Sequence, residues 1–296
     1  MQPIHGILPA LITPHTDDGN INVPVLQDIV DYHIDKEVDG FYVCGSTGEG
    51  VYMSVAQRKL ATEVTSKQIN GRVPFIVHVG SMSLDDAIEL AIHAQQHGAQ
   101  GISSILPPSY NTIESILRYY KALAASVPDL DFIPYLLNPT INCVTLLRAV
   151  MEEVPTLAGS KYTGSNMVEF KELIKLGEDK WMMFSGMDEQ CIYSKMMGST
   201  GSIGSTLNYM PKAYKQIREY CDNRQYAEAQ ALQLDVNEVT NILIAHGFLG
   251  ALKAVMTKLG FDCGEPRLPN LPISDAGRIS LFEKLEQTKF DDLVSM

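Results

Sequence analysis

Lys161 sits near the end of a short apolar run, Leu157-Ala158-Gly159-Ser160-Lys161-Tyr162-Thr163, that reads as a buried strand. An ammonium there loses hydration, so the neutral amine is favoured and its pKa is expected to fall. A neutral amine is a nucleophile, and with a carbonyl substrate it forms a Schiff base. The competing reading is a lysine that snorkels from a strand end or pairs with a carboxylate. Four other segments bear on the choice. Gly45-Ser46-Thr47-Gly48-Glu49-Gly50 places two hydroxyls and unhindered backbone N–H groups between glycines, a compact cradle for a carboxylate or a tight loop whose hydroxyls cap the next helix. Tyr135 lies near the end of another apolar run, where a phenol can shuttle a proton or merely pack. Ser185-Gly186-Met187-Asp188-Glu189 offers adjacent carboxylates, acceptors for a polyhydroxylated ligand or an acidic first helical turn. Gly204-Ser205-Thr206 adds small hydroxyls.

Eight apolar runs position these residues: Gly6–Thr13, Gly40–Gly45, Phe75–Gly80, Gly101–Pro107, Asp131–Leu137, Leu157–Thr163, Trp181–Gly186 and Thr200–Thr206. Amphipathic stretches of helical period alternate with them, near Val23–Glu37, Val55–Ile69, Leu84–His97, Ile113–Ser126, Val144–Glu153, Met167–Leu176, Asp188–Met197 and Pro211–Asn223. Ser83 and Thr112 stand where hydroxyl caps belong, Pro211 suits a first helical position, and Gly98, Gly177 and Gly198 mark stops. Strands alternating with helices imply parallel pairing, and eight such units predict a (β/α)8 TIM barrel over 1–224. A C-terminal helical extension over 225–296 follows, with helices around Glu228–Ile244, Gly247–Leu259 and Ile279–Gln287. A doubly wound open sheet is disfavoured because no G-x-G-x-x-G follows the first strand. In a barrel the chemistry belongs at the C-terminal strand ends. Every candidate above falls there, and alternation puts Thr163 on the face of Lys161. That convergence favours the Schiff-base reading.

Composition narrows the partners. The 296 residues carry a formal charge of −12 with no Lys/Arg cluster, which argues against a nucleic-acid or anionic-membrane surface. The start of the chain lacks a basic n-region, and no apolar stretch approaches a membrane span. Cys44, Cys143, Cys191, Cys221 and Cys263 form no C-x-x-C pair and read as reduced thiols of a cytoplasmic protein, Cys44 as a packing residue. His93 and His97 share a helix face without the glutamate of H-E-x-x-H, so they read as a solvated face and no metal site is expected.

On Gly45-Ser46-Thr47-Gly48-Glu49, Tyr135 and Lys161, the chain resembles the pyruvate-dependent class I aldolases of the dihydrodipicolinate synthase and N-acetylneuraminate lyase family, from the first strand into the C-terminal helices. The resemblance implies that Ser46, Thr47 and Gly48 hold a pyruvate carboxylate, that Tyr135 handles protons with Ser46 relaying them, and that Lys161 forms the imine. Tyr110, in Pro107-Pro108-Ser109-Tyr110-Asn111, matches the family tyrosine that reaches into a neighbouring subunit's site; the resemblance implies that it relays protons there with Ser46 and that the protein is a homotetramer built as a dimer of dimers. Synthases of the family usually carry an arginine shortly after the catalytic tyrosine, where this chain reads Leu136-Leu137-Asn138-Pro139-Thr140. The lyase pattern of Lys-x-Thr, Gly-x-Asp-Glu and a later serine is matched by Lys161, Thr163, Gly186, Asp188, Glu189 and Ser205, which implies binding of a sugar-like tail. The expected reaction is a metal-free, cofactor-free retro-aldol cleavage of a small 2-keto acid. The alternatives are a sister aldolase for another 2-keto-3-deoxy sugar acid, a dihydrodipicolinate synthase, and a keto-acid sensor without turnover. One departure stands out: the family commonly has Tyr-Asn-x-Pro on the fifth strand, where this chain has Tyr135-Leu136-Leu137-Asn138-Pro139.

Overall fold

The computed structural model describes residues 4–105, 112–178 and 180–296. Eight strands alternate with eight helices: β1 (Gly6–Pro9), α1 (Val23–Asp35), β2 (Phe41–Val43), α2 (Val55–Ile69), β3 (Phe75–His78), α3 (Leu84–Gln96), β4 (Gly101–Ile105), α4 (Ile113–Ala125), β5 (Asp131–Leu137), α5 (Cys143–Glu153), β6 (Gly159–Thr163), α6 (Met167–Leu176), β7 (Met182–Ser185), α7 (Cys191–Met197), β8 (Gly201–Gly204) and α8 (Pro211–Asp222). All neighbouring pairs are parallel, in the order β1-β8-β7-β6-β5-β4-β3-β2. A single parallel bridge, Ala10 to Tyr42, with Leu11 N–H donating to Tyr42 O at 2.9 Å, closes β1 against β2. The (β/α)8 barrel expected from the alternation is therefore what the chain builds. After it come α9 (Tyr226–Ala245), α10 (Phe248–Lys258), α11 (Asp275–Leu285) and α12 (Phe290–Ser295). Among the described residues, no single helix is long and apolar enough to cross a membrane.

Strand alternation divides the interior in two. Leu8, Tyr42, Ile76, Ile133, Phe184 and Ile203 fill the barrel, while Ile7, Phe41, Val77, Ile102, Phe132 and Leu136 pack outward beneath the helices. Lys161 faces inward with the first set. The strands are shorter than the apolar runs that announced them. Cys44, expected inside the second strand, is left-handed with φ 58°, so the chain leaves β2 at Val43. The stretch at Asp188 opens as a 3-10 turn, Asp188–Gln190, before α7 begins. Helix starts match their signals: Ser83 Oγ accepts from Asp86 N–H and Thr112 Oγ1 from Ser115 N–H, both at 3.2 Å. Gly98 and Gly198 take φ 78° and 102° after α3 and α7, where a Cβ would be strained.

Candidate active site

β6 presents Lys161 in register with Tyr135 of β5 and Phe184 of β7. The lysine is 4% exposed, and no carboxylate pairs with it among the described residues, which leaves neither alternative reading standing. Two aromatic faces take the place of water: Nζ lies 4.5 Å from the ring centre of Tyr42 and 4.2 Å from that of Tyr135. Desolvated cation–π contacts are worth about 2 kcal/mol each. The rings are fixed in turn. Tyr42 meets Tyr135 edge to face (6.2 Å, 80°) and donates its hydroxyl to Ser103 Oγ at 2.9 Å. His78 stands edge-on to Tyr135 (6.3 Å, 89°). Its Nε2 accepts from Ile105 N–H at 3.1 Å, which leaves the proton on Nδ1 facing Cys44 O at 3.1 Å. Burial, then the charges of Arg58 and Lys161, hold this imidazole well below its usual range. Sequence reasoning missed Tyr42 and His78, whose one signal was polar or aromatic character at inward strand positions, and Arg58, buried on α2.

The loop after β2 has the form of an anion cradle. Among the described residues, the N–H groups of Ser46, Thr47 and Gly48 find no acceptor, whereas Glu49 N–H returns to Ser46 O and Gly50 N–H to Gly45 O. Ser46 and Thr47 do not cap α2. Ser54 does, in a capping box with Gln57. A Cβ on Gly48 would stand 2.7 Å from Leu11 O and one on Gly50 only 1.9 Å from Cys44 O, so the loop is pressed against the first two strands. Glu49, left-handed at φ 57°, turns its carboxylate into the protein at 0% exposure. There it meets Lys253 of α10 at 2.8 Å and His15 Nδ1 at 3.5 Å, and accepts from Arg267 N–H. The sequence motif gave no hint that its glutamate would anchor the C-terminal extension.

The opposite side of the mouth carries the predicted acceptors. Thr163 Oγ1 and Asp188 Oδ1 are buried without a partner among the described residues. A Cβ on Gly186 would fall 1.8 Å from Thr163 Oγ1, and one on Gly204 would fall 1.5 Å from Asp188 Oδ1, so both positions need glycine. Asp188 is less open than expected: it is 5% exposed, and its Oδ2 accepts from Thr206 N–H at 2.9 Å and Thr206 Oγ1 at 2.6 Å. Burial pushes its carboxyl up to about 6, against the pull of the Thr206 hydrogen bonds. Ser205 is also placed differently. Its hydroxyl bonds Thr47 Oγ1 at 2.6 Å, which joins it to the loop after β2. The unusual Leu136-Leu137-Asn138 stretch leaves Tyr135 in place; Asn138, at φ 40°, ends β5 and donates its N–H to Thr163 O at 2.8 Å. Tyr110 lies outside the described residues.

Cavities of about 640 Å³ and about 470 Å³ flank the loop and share Ser46 and Asn270. The larger is lined by Tyr52, Arg58, Met82 and Leu137, the smaller by Thr47, Ser205, Phe248 and Leu249. Lys161 lines neither. On the outer face, His93 and His97 bring their rings to 4.2 Å and are joined by Glu63 of α2, which is already ion-paired with Lys67 at 2.6 Å.

The model of the dihydrodipicolinate synthetase family matches residues 3–288. The chain belongs to that family. Its N-acetylneuraminate lyase relative from Pongo abelii is 34% identical over 277 residues, 90% of this chain and 87% of that protein. The Proteus mirabilis N-acetylneuraminate lyase structure superposes with a TM-score of 0.93 at 29% identity, covering 97% of this chain and 99% of the other. A catalytic lysine mutant of Ruminococcus gnavus sialic acid aldolase gives 0.92 at 26%, covering 98% and 96%. Dihydrodipicolinate synthetase family members are pyruvate-dependent lyases, so this chain is an aldolase-type enzyme.

This family member should be acid-labile. Burial first, then Lys253 and Arg267, lowers His15 to about 3, and burial lowers His33 to about 4. His78 shifts the same way. In the unfolded chain each titrates near about 6.5. Below that pH the unfolded chain binds protons that the fold refuses, so stability falls as pH drops from about 6.5 towards 4. Asp188 acts oppositely: raised to about 6, it costs stability as pH rises through the interval from about 4 to 6. Burial raises Asp131 as well, and the three histidines outweigh these two aspartates, so the urea midpoint should be higher at pH 7 than at pH 5. The reverse order would show that the buried imidazoles are charged.

Proposed function

We propose that this chain is an N-acetylneuraminate lyase, cleaving N-acetylneuraminate reversibly to N-acetylmannosamine and pyruvate. The observation that carries the reading is Lys161, 4% exposed, between the faces of Tyr42 and Tyr135. The N-acetylneuraminate lyase relatives at 34% identity support the choice of substrate.

In this mechanism the Nζ amine of Lys161 adds to the C2 ketone of the open-chain sugar, and the hydroxyl leaves as water with the proton of Tyr135, which gives a protonated imine and a Tyr135 phenolate. Ser46, Thr47 and the amides through Gly48 hold the carboxylate. The Tyr135 phenolate, with Ser46 and Tyr110 of the neighbouring subunit as relays, takes the C4 hydroxyl proton as the C3–C4 bond breaks. The bonding electrons flow into the imine to give an enamine, and N-acetylmannosamine leaves as the aldehyde. Protonation at C3 and addition of water release pyruvate and free Lys161. Thr163, Gly186, Asp188 and Glu189 meet the polyol tail, with Ser205 between them and the carboxylate loop. The imine supplies the electron sink, so the proposed steps call for no metal or cofactor. We place the enzyme in the cytoplasm as a dimer of dimers, with Tyr110 entering the neighbouring subunit's site.

Borohydride with pyruvate should add one reduced pyruvyl group, less water, to Lys161 in the intact-mass spectrum. An unchanged mass, or label on another residue, would sink the Schiff-base step. The Leu136-Leu137-Asn138 departure favours a second reading, a sister aldolase for a different 2-keto-3-deoxy acid. Pyruvate release from N-acetylneuraminate beside a panel of such acids separates the two.

A further inference from the structure

α9 belongs to the helical extension, outside the barrel, yet two of its amides reach the turn after β7. Gln233 is 3% exposed and fully engaged: its Oε1 accepts from Ile192 N–H at 2.9 Å, and its Nε2 donates to Asp188 O at 3.1 Å and Asn237 Oδ1 at 2.9 Å. Asn237 Nδ2 completes the set by donating to Glu189 O at 3.1 Å. The two side chains, one helical turn apart, therefore grip the carbonyls of consecutive residues and one N–H, that of Ile192, in the first turn of α7.

The gripped turn has little else to fix it. Asp188–Gln190 is a single 3-10 turn without a side-chain cap, and α7 behind it has seven residues and an uncapped start. A short helix of this kind holds no fixed position by its own hydrogen bonds. The side chain of Asp188 is held from the barrel side by Thr206, whose hydroxyl also reaches Tyr214 at 2.9 Å. What sets the backbone is the amide pair on α9. The turn carries both carboxylates of the proposed tail site, including the unpartnered Oδ1 of Asp188.

We infer that Gln233 and Asn237 are positioning residues that set the Asp188–Glu189 turn, and through it the recognition of the polyhydroxylated tail, without acting on the reacting carbon. The inference rests on the proposed function in one respect, that this turn meets the tail. It separates the two ends of the substrate. The carboxylate loop, Lys161 and Tyr135 stand on β2, β6 and β5, which α9 does not touch through these amides. Loss of the clamp therefore affects long substrates and spares short ones.

The test compares wild type with Gln233→Leu, Gln233→Glu and Asn237→Ala. Leucine removes every hydrogen bond, while glutamate keeps the acceptor for Ile192 and removes the donors. Asn237 is half-buried, so its truncation leaves a soluble fold even where Gln233→Leu does not. Each protein is assayed with N-acetylneuraminate, with the short 4-hydroxy-2-oxopentanoate, and for borohydride trapping of pyruvate. A displacement on the ångström scale costs up to about a hundredfold in rate. The expected result is a ten- to hundredfold fall in kcat/KM for N-acetylneuraminate, carried mainly by KM. The short acid should change less than about threefold and trapping should be unaltered, with Asn237→Ala milder in the same direction. Equal losses on both substrates would mean a purely structural role and overturn the proposal, as would no loss on the long one. A wild-type enzyme that traps pyruvate but cleaves no long-tailed keto acid would overturn the tail site, and the clamp with it. Absence of trapping in the wild type would overturn the Schiff-base reading.

Discussion

Lys161→Met is expected to lower kcat by roughly 10⁴-fold or more while leaving the protein at least as resistant to urea as the wild type. The loss follows from removing the atom that bonds to the substrate, because no neighbouring group can supply a replacement amine. The gain in stability follows from burial. A lysine 4% exposed keeps its polar amine out of water, and the π faces of Tyr42 and Tyr135 return only part of the lost hydration. Methionine has similar length and fills the space between the rings without that cost. Opposite signs for activity and stability identify a residue kept for chemistry. Paired kinetics and urea denaturation measure both. A variant retaining activity within tenfold of wild type would remove Lys161 from the mechanism, and one strongly destabilised would make it structural.

Glu49→Gln and Lys253→Met should each destabilise the fold by about 3–5 kcal/mol, and the double variant should recover most of that loss. Glu49 is 0% exposed and Lys253 is 1% exposed, with the carboxylate 2.8 Å from the ammonium. Glu49 Oε2 has no aligned hydrogen bond, so the contact is an ion pair above all. Burial draws the Lys253 ammonium down, and Glu49 is the chief group opposing that. Removing the carboxylate strands the ammonium among His15 and the carbonyls of Cys263 and Glu265, and removing the ammonium leaves the buried carboxylate with His15 and Arg267 N–H. Removing both leaves neutral groups of similar shape. A double-mutant cycle in urea measures the coupling. Because Glu49 closes the Ser46-Thr47-Gly48 loop, the single variants should also raise KM for the keto acid. Additive losses in the cycle would show that the pair is not coupled.

Local chemistry made much of this enzyme legible. Runs such as Phe75–His78 and Met182–Ser185 declare strands because apolar residues at consecutive positions must be covered on both faces, as in a parallel barrel. Lys161 was conspicuous because such a run has no ordinary place for an ammonium. Strand ends were less legible. Cys44 in β2 looks as apolar as its neighbours, yet turns left-handed because Gly45 to Gly50 must fold back over Leu11. Asp188 looked like an open acceptor because nothing near it in the sequence reveals Thr206, which takes one of its oxygens.

The sequence by itself determined the alternation of strands and helices, and it singled out Lys161, the loop at 45–50 and the tyrosine one strand away. Each depends on residue types within a few positions of one another, and the barrel rule then converts strand ends into a site. Only the tertiary structure decided what surrounds them: Tyr42 and His78 at the lysine and its tyrosine, Ser205 on Thr47, Lys253 under Glu49, and Gln233 with Asn237 behind Asp188 and Glu189. The physical reason is closure. A ring of eight strands capped by a helical extension brings together groups separated by as many as 259 residues, as with Lys36 and Ser295. Hydrogen bonds and ion pairs over such spans leave no periodicity in the chain to read.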